Sequence, residues 1–223
     1  MPDRRSCAAL SRACFASLAV AALAAVCANA SHAASNAYVP NDDGTVSVIS
    51  LKSASVVKTI LVGNSPVGIA VSANGRRAYV TNADDNTVSV ITTRKGKVIA
   101  TIPVGTDPEG IAVAPDNATL YVVNNQSSSV SVVAAKTNKV IGTIAVGLLP
   151  LGVVFNPAGT RAYVANNGNT NTVSVIDTAT RTVVGSIPIG GASGAGPAML
   201  AIDPTGNPLY ASKLADDAVL VIC

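Results

Sequence analysis

The chain has 223 residues, of which 49% are hydrophobic, 12% charged and 3% aromatic, with no tryptophan. That balance excludes an intrinsically disordered chain, and its Ala, Val, Ile and Leu content suits short packed strands. The formal charge of +3 gives no ground for a nucleic-acid partner, because the excess lies in the first segment of the chain.

Residues 1–33 have the plan of a secretory signal peptide. Arg4, Arg5 and Arg12 form a basic start, Ala13–Ala28 is an apolar run, and small residues offer cleavage after Ala30 or Ala33. The run is short for a membrane anchor. Cleavage removes Cys7, Cys14 and Cys27 and leaves only Cys223, so the exported domain has no disulfide framework. It removes or frees His32, the only histidine, and leaves twelve basic and eleven acidic residues. The expected location is the periplasm, the cell surface or the medium.

From Ala37 one phrase recurs: "AYVPNDDGTVSVI", "AYVTNADDNTVSVI" from Ala78, "LYVVNNQSSSVSVV" from Leu120, "AYVANNGNTNTVSVI" from Ala162 and "LYASKLADDAVLVI" from Leu209. All five tyrosines, Tyr38, Tyr79, Tyr121, Tyr163 and Tyr210, hold one position of it, at spacings of 41, 42, 42 and 47. A fixed period of this size marks an array of supersecondary units, with repeats at about 37–77, 78–119, 120–161, 162–208 and 209–223.

Each unit predicts four short strands, called A to D. In one copy these are Gly110–Pro115, Leu120–Asn124, Ser129–Ala134 and Lys139–Val146. Pro, Gly and Asn in "SANG", "APDN", "NPAG" and "DPTG" supply the A–B turns. Both strand faces are apolar or small, as expected where each sheet packs between two others. The expectation is therefore an all-β propeller of about five blades. The chain opens at strand B and closes after strand C, which gives eighteen strands: three full blades and a three-stranded sheet at each end. The ring is then either five blades, two of them incomplete, or an open or truncated arc. An open arc exposes apolar blade faces and favours a homo-oligomer. Tyr is expected to fill the space between blades, and Ser in "VSV" and Ala in "IAV" to be small where sheets approach.

"AYVTN…NTVSVI", "KVIATIPVG" and "PEGIAVAPD" resemble the YVTN-repeat β-propellers, a family of surface-layer-type and exported bacterial proteins in the lactonase-like superfamily. The resemblance spans residues 37–223. It implies the propeller fold, and it implies function only loosely, since the fold hosts both binding modules and hydrolases.

In a blade the D–A and B–C loops share one face of the disc, and the A–B and C–D loops share the other. Charge sorts accordingly. Asp84, Asp85, Asp107 and Glu109, with Asn125 and Asn167, are the ligand-face candidates. Arg76, Arg77, Arg94, Lys95, Lys97 and Arg161 are the basic-face candidates, suited to anionic polymer or lipid headgroups. No usable histidine accompanies the serines, so no nucleophile–base pair is assigned. No catalytic residue, metal site or cofactor is assigned either. The pairs Asp42/Asp43, Asp84/Asp85 and Asp216/Asp217 fit turn chemistry better than Ca²⁺ binding. "GGASGAGP" (Gly190–Pro197) departs from a phosphate-loop spacing and reads as a lengthened D–A loop, followed by Met199 where other copies have Gly68, Gly110 and Gly152. The functional expectation is an exported, non-enzymatic binding or scaffold module for an envelope polymer, protein or small ligand. A lactonase-like hydrolase and a truncated propeller without independent function are the alternatives.

Overall fold

The computed structural model describes residues 36–168, 171–190, 196–213 and 217–223. The signal-peptide expectation, most of the lengthened D–A loop and Asp216 lie outside the described residues.

Eighteen strands form five antiparallel sheets. The first sheet has three: β1 (Asn36–Asn41), β2 (Thr45–Ser50) and β3 (Ser55–Leu61). The second comprises β4 (Pro66–Val71), β5 (Arg77–Asn82), β6 (Thr87–Thr92) and β7 (Lys97–Pro103). The third comprises β8 (Pro108–Val113), β9 (Thr119–Asn124), β10 (Ser129–Ala134) and β11 (Lys139–Ala145). The fourth comprises β12 (Pro150–Phe155), β13 (Arg161–Asn166), β14 (Thr172–Asp177) and β15 (Thr182–Pro188). The last comprises β16 (Pro197–Ile202), β17 (Leu209–Lys213) and β18 (Ala218–Ile222). Strand number and the three-stranded end sheets agree with the sequence expectation, and strand A of the copy read in detail begins two residues earlier than expected.

Consecutive sheets pack face to face, with β4, β8, β12 and β16 in series along the inner side. Four apolar clusters fill the four junctions between the five sheets. Alternation along each strand assigns the faces. In β5, Ala78 and Val80 face the first sheet, while Tyr79 faces the third. The outermost strands of the first four sheets carry a bulge in the same place, where Val57, Ile99, Ile141 and Val184 stand unpaired and exposed. A bulge twists an edge strand away from further pairing.

In the second and third sheets the repeated Asn of the phrase ties the sheet to the linker that enters it. Asn82, fully buried, donates from Nδ2 to Thr87 Oγ1 (3.0 Å) and Ser89 Oγ (3.0 Å), and its Oδ1 accepts from the Gly63 amide (3.1 Å). Asn124 repeats this with Ser129, Ser131 and the Gly105 amide. Asn166 donates to Thr172 and Ser174. The serines of "VSV" are therefore polar partners for Asn as well as small residues, a role the sequence reading did not assign. Glycine at 63, 105 and 147 follows from the same contact, since a Cβ there would collide with the Asn82, Asn124 or Asn166 side chain.

A second glycine series sets the spacing of the inner strands. A Cβ on Gly68 would meet the Glu109 carbonyl oxygen, one on Gly110 the Leu151 carbonyl, and one on Gly152 the Ala198 carbonyl. Each collision is with backbone of the following sheet, so it cannot be relieved by a rotamer change. Met199 occupies the same place in the last sheet, where its side chain is 44% exposed.

Candidate functional site

Hydrogen bonds place the loops on the two faces the sequence predicts. On one face, D–A loops bond to B–C loops: Ala83 N–H donates to Ser65 O (2.8 Å), Asn125 N–H to Asp107 O (2.8 Å) and Asn167 N–H to Leu149 O (3.0 Å). On the other, A–B turns bond to C–D turns: Thr93 N–H donates to Arg76 O (3.1 Å), and Thr178 Oγ1 to Gly159 O (2.7 Å).

Most ligand-face candidates are engaged in this bracing. Asp85 accepts from the Asn64 amide (2.8 Å) and the Asn64 side chain (2.9 Å), clamping the preceding linker. Asn125 Nδ2 donates to Pro150 O (3.1 Å), and Asn167 Nδ2 to Gly196 O (3.1 Å), each reaching the next sheet. Asp107 has φ 57°, and its amide donates to Asn86 Oδ1 (2.8 Å). Asp84 is exposed. Glu109 stands apart: it is half-buried on inner strand β8, and its pKa is raised by burial, with the nearby Asp107 charge adding to the rise. Burial disfavours the ionised carboxylate, and a like charge disfavours it further. The structure thus brings Asp107 and Glu109 together and spreads the other four along the loop face.

On the opposite face Arg76, Arg94, Lys95 and Lys97 are exposed around two turns of the second sheet. Lys58 joins them from the first sheet by donating its ammonium to Lys95 O (2.8 Å). None of these cations pairs with a carboxylate among the described residues. Two basic-face candidates belong to the architecture instead. Arg77, half-buried, crosses to the third sheet, where its guanidinium donates to Ala135 O (2.5 Å) and more weakly to Asn138 Oδ1 (3.4 Å). Arg161 pairs with Asp177 on the neighbouring strand. Asp177 sits below the usual carboxylate range, first because the Thr180 amide donates to it and then because Arg161 does. Both arginines open a strand B, so their side chains leave over packed strands, and that position separates them from the turn cations.

Two clefts, of about 510 and 220 Å³, recur at equivalent places on the outer side of the second and first junctions. Their polar walls are the Asn124–Ser129–Ser131 and Asn82–Thr87–Ser89 networks, already bonded internally. A third cleft, of about 200 Å³, lies at the third–fourth junction against Tyr121, Phe155 and Arg181. Among the described residues no three His, Cys, Asp or Glu side chains converge in a metal-holding group.

Radially packed four-stranded sheets with two faces of loops define a β-propeller. The profile of the YNCE-like β-propellers matches residues 69–223, and the chain belongs to that family. No curated protein matches it in sequence. Among solved structures it is similar to a chain of Kuenenia stuttgartiensis hydrazine synthase, with a TM-score of 0.73 and 24% identity. That likeness covers 82% of this chain and 54% of the other, so this chain spans about half the length of its structural neighbour. At that identity the likeness bears on the fold alone.

Proposed function

We propose that the chain is an exported, non-enzymatic propeller that binds an anionic polymer of the cell envelope. The observation that carries this reading is the cluster of Lys58, Arg76, Arg94, Lys95 and Lys97, exposed on one loop face and, among the described residues, unpaired with carboxylates. Five cations on a rigid disc create a field that attracts polyanions and weakens as salt rises. Export supplies the compartment, and it rests on the signal-like residues 1–33.

Sedimentation with isolated wall polymer bearing phosphate or carboxylate groups tests it. The protein is expected to co-sediment at low salt and to be released as salt is raised, and the triple variant Arg76→Glu, Arg94→Glu, Lys97→Glu is expected to stay in solution. Equal binding by the triple variant would sink the reading.

One observation favours a second reading, a lactonase-like hydrolase. Glu109, with its raised pKa and Asp107 beside it, has the poise of a general acid or base. Ring opening in a lactone panel, abolished by Glu109→Gln or Asp107→Asn, would replace the binding proposal. Absence of turnover with polymer binding retained would leave it in place.

A further inference from the structure

One junction differs from its neighbour at a single repeat position, and the difference opens a cavity. At the second–third junction Arg77 lays its guanidinium across to Ala135 and Asn138. The equivalent residue of the third sheet is Thr119, which is too short to cross. The place the guanidinium would take at the third–fourth junction is the 200 Å³ cleft. Thr178 and Arg181 stand there in the positions of Ala135 and Asn138. At roughly 30 Å³ per water-sized group, the space admits about half a dozen heavy atoms.

The cleft has an unanswered polar group at its floor. Tyr121 is 1% exposed, and its hydroxyl has no hydrogen-bond partner among the described residues. A buried hydroxyl left without a partner is costly. Its ring is fixed by an edge-on contact with Phe155 (centroids 4.8 Å apart, planes at 62°). Burial pushes the phenol pKa up, against a smaller lowering by nearby Arg181, so the hydroxyl stays neutral and able to donate. Arg181 and Asp177, both on the fourth sheet, act on the hydroxyl, and Asp116 lines the cleft from the third. The guanidinium of Arg181, on the fourth sheet, makes one long bond among the described residues, to Ile141 O (3.4 Å). Asp116, on the third, uses one carboxylate oxygen for the Ala118 amide (2.8 Å).

We propose that this cleft binds a small zwitterion. Its carboxylate is held by Arg181 and the Tyr121 hydroxyl, its ammonium by Asp116, and its short carbon frame lies on Phe155 and Val132. This arrangement gives each charged end a charge-assisted bond and lays the carbon frame on apolar side chains between them.

Calorimetric titration of the full chain with L-alanine, propionate and propylamine tests this. Alanine is expected to bind saturably and about tenfold more tightly than either single-charge probe, a difference of about 1.4 kcal/mol. Tyr121→Phe is expected to weaken alanine binding, and Thr119→Arg, which fills the cleft with a guanidinium, to abolish it. Tyr121→Phe is expected to melt no lower than wild type, since it removes an unpaired hydroxyl, and Thr119→Arg is expected to remain folded although its guanidinium meets Arg181. No saturable alanine binding, which would mean a cleft that holds water only, overturns the proposal. So does unchanged binding in Thr119→Arg, or equal affinity for all three probes. The test is independent of the polymer reading, because these variants leave Arg76, Arg94, Lys95 and Lys97 in place.

Discussion

Tyr79 and Tyr210 hold the same position of the same phrase, yet Tyr79 is 1% exposed and Tyr210 is 37% exposed. The difference is the next sheet. Tyr79 packs with Val88 and Val90 against Ile111 and Leu120 of the third sheet. The equivalent face of the last sheet presents Tyr210, Val219, Val221 and Met199 to solvent, while its other face packs on the fourth sheet. Tyr163, which faces that three-stranded last sheet, is only half-buried. A repeated residue therefore has no fixed energetic role, and its role depends on whether a neighbour covers it.

The largest expected effect sets the two ends of that comparison against each other. Tyr79→Ala should destabilise by about 3–5 kcal/mol, as truncation of a buried aromatic does. Tyr210→Ala should cost less than about 1 kcal/mol, within the range of exposed substitutions. Urea unfolding of the two variants measures both, and equal losses would break the comparison.

Glycine 110 sharpens it at a smaller scale. Gly110→Ala drives a Cβ into the Leu151 carbonyl and should cost about 1–3 kcal/mol by overpacking. Met199→Ala should fall within about 0.5 kcal/mol of wild type. Thermal melts that ranked the two variants the other way would show that the inner strands are not in contact.

The smallest effect concerns charge on an inner strand. The pKa of Glu109 is raised by burial and then by Asp107. Its folded value lies above the unfolded one, so it favours folding at pH below the unfolded value, about 4.3. That contribution is lost as pH rises through the folded value. Glu109→Gln should therefore melt higher than wild type at neutral pH, and the gap should close toward pH 4. A gap that does not change with pH would remove ionisation as its cause.

The strand count, the sheet membership and the two loop faces were legible because they rest on local signals: a period of two within strands, Pro–Asn–Gly turns between them, and a 42-residue repeat. What was not legible depends on contacts between distant residues. Asn82 repeats in plain view, but its partner amide at Gly63 lies 19 residues upstream, in a different sheet's exit linker. Arg77 and Arg94 look alike as letters. One begins a strand beneath a neighbouring sheet and becomes a brace, while the other sits in an open turn. The cleft at Tyr121 was invisible for the same reason. Its existence turns on Thr119 being shorter than Arg77, and that matters only once both sheets are in place.

The Gly68, Gly110, Gly152, Met199 series gives the arc a direction. Each glycine is a vacancy into which the following inner strand brings its carbonyl, and position 199 offers no such vacancy. Any sheet that came against the last face, from whatever source, would meet the Met199 Cβ and stand farther off than the internal junctions allow. Head-to-tail contacts that do not close into a ring build filaments. At position 199 a side chain stands where the other inner strands carry a hydrogen atom, and stacking at the native spacing on that face would require glycine.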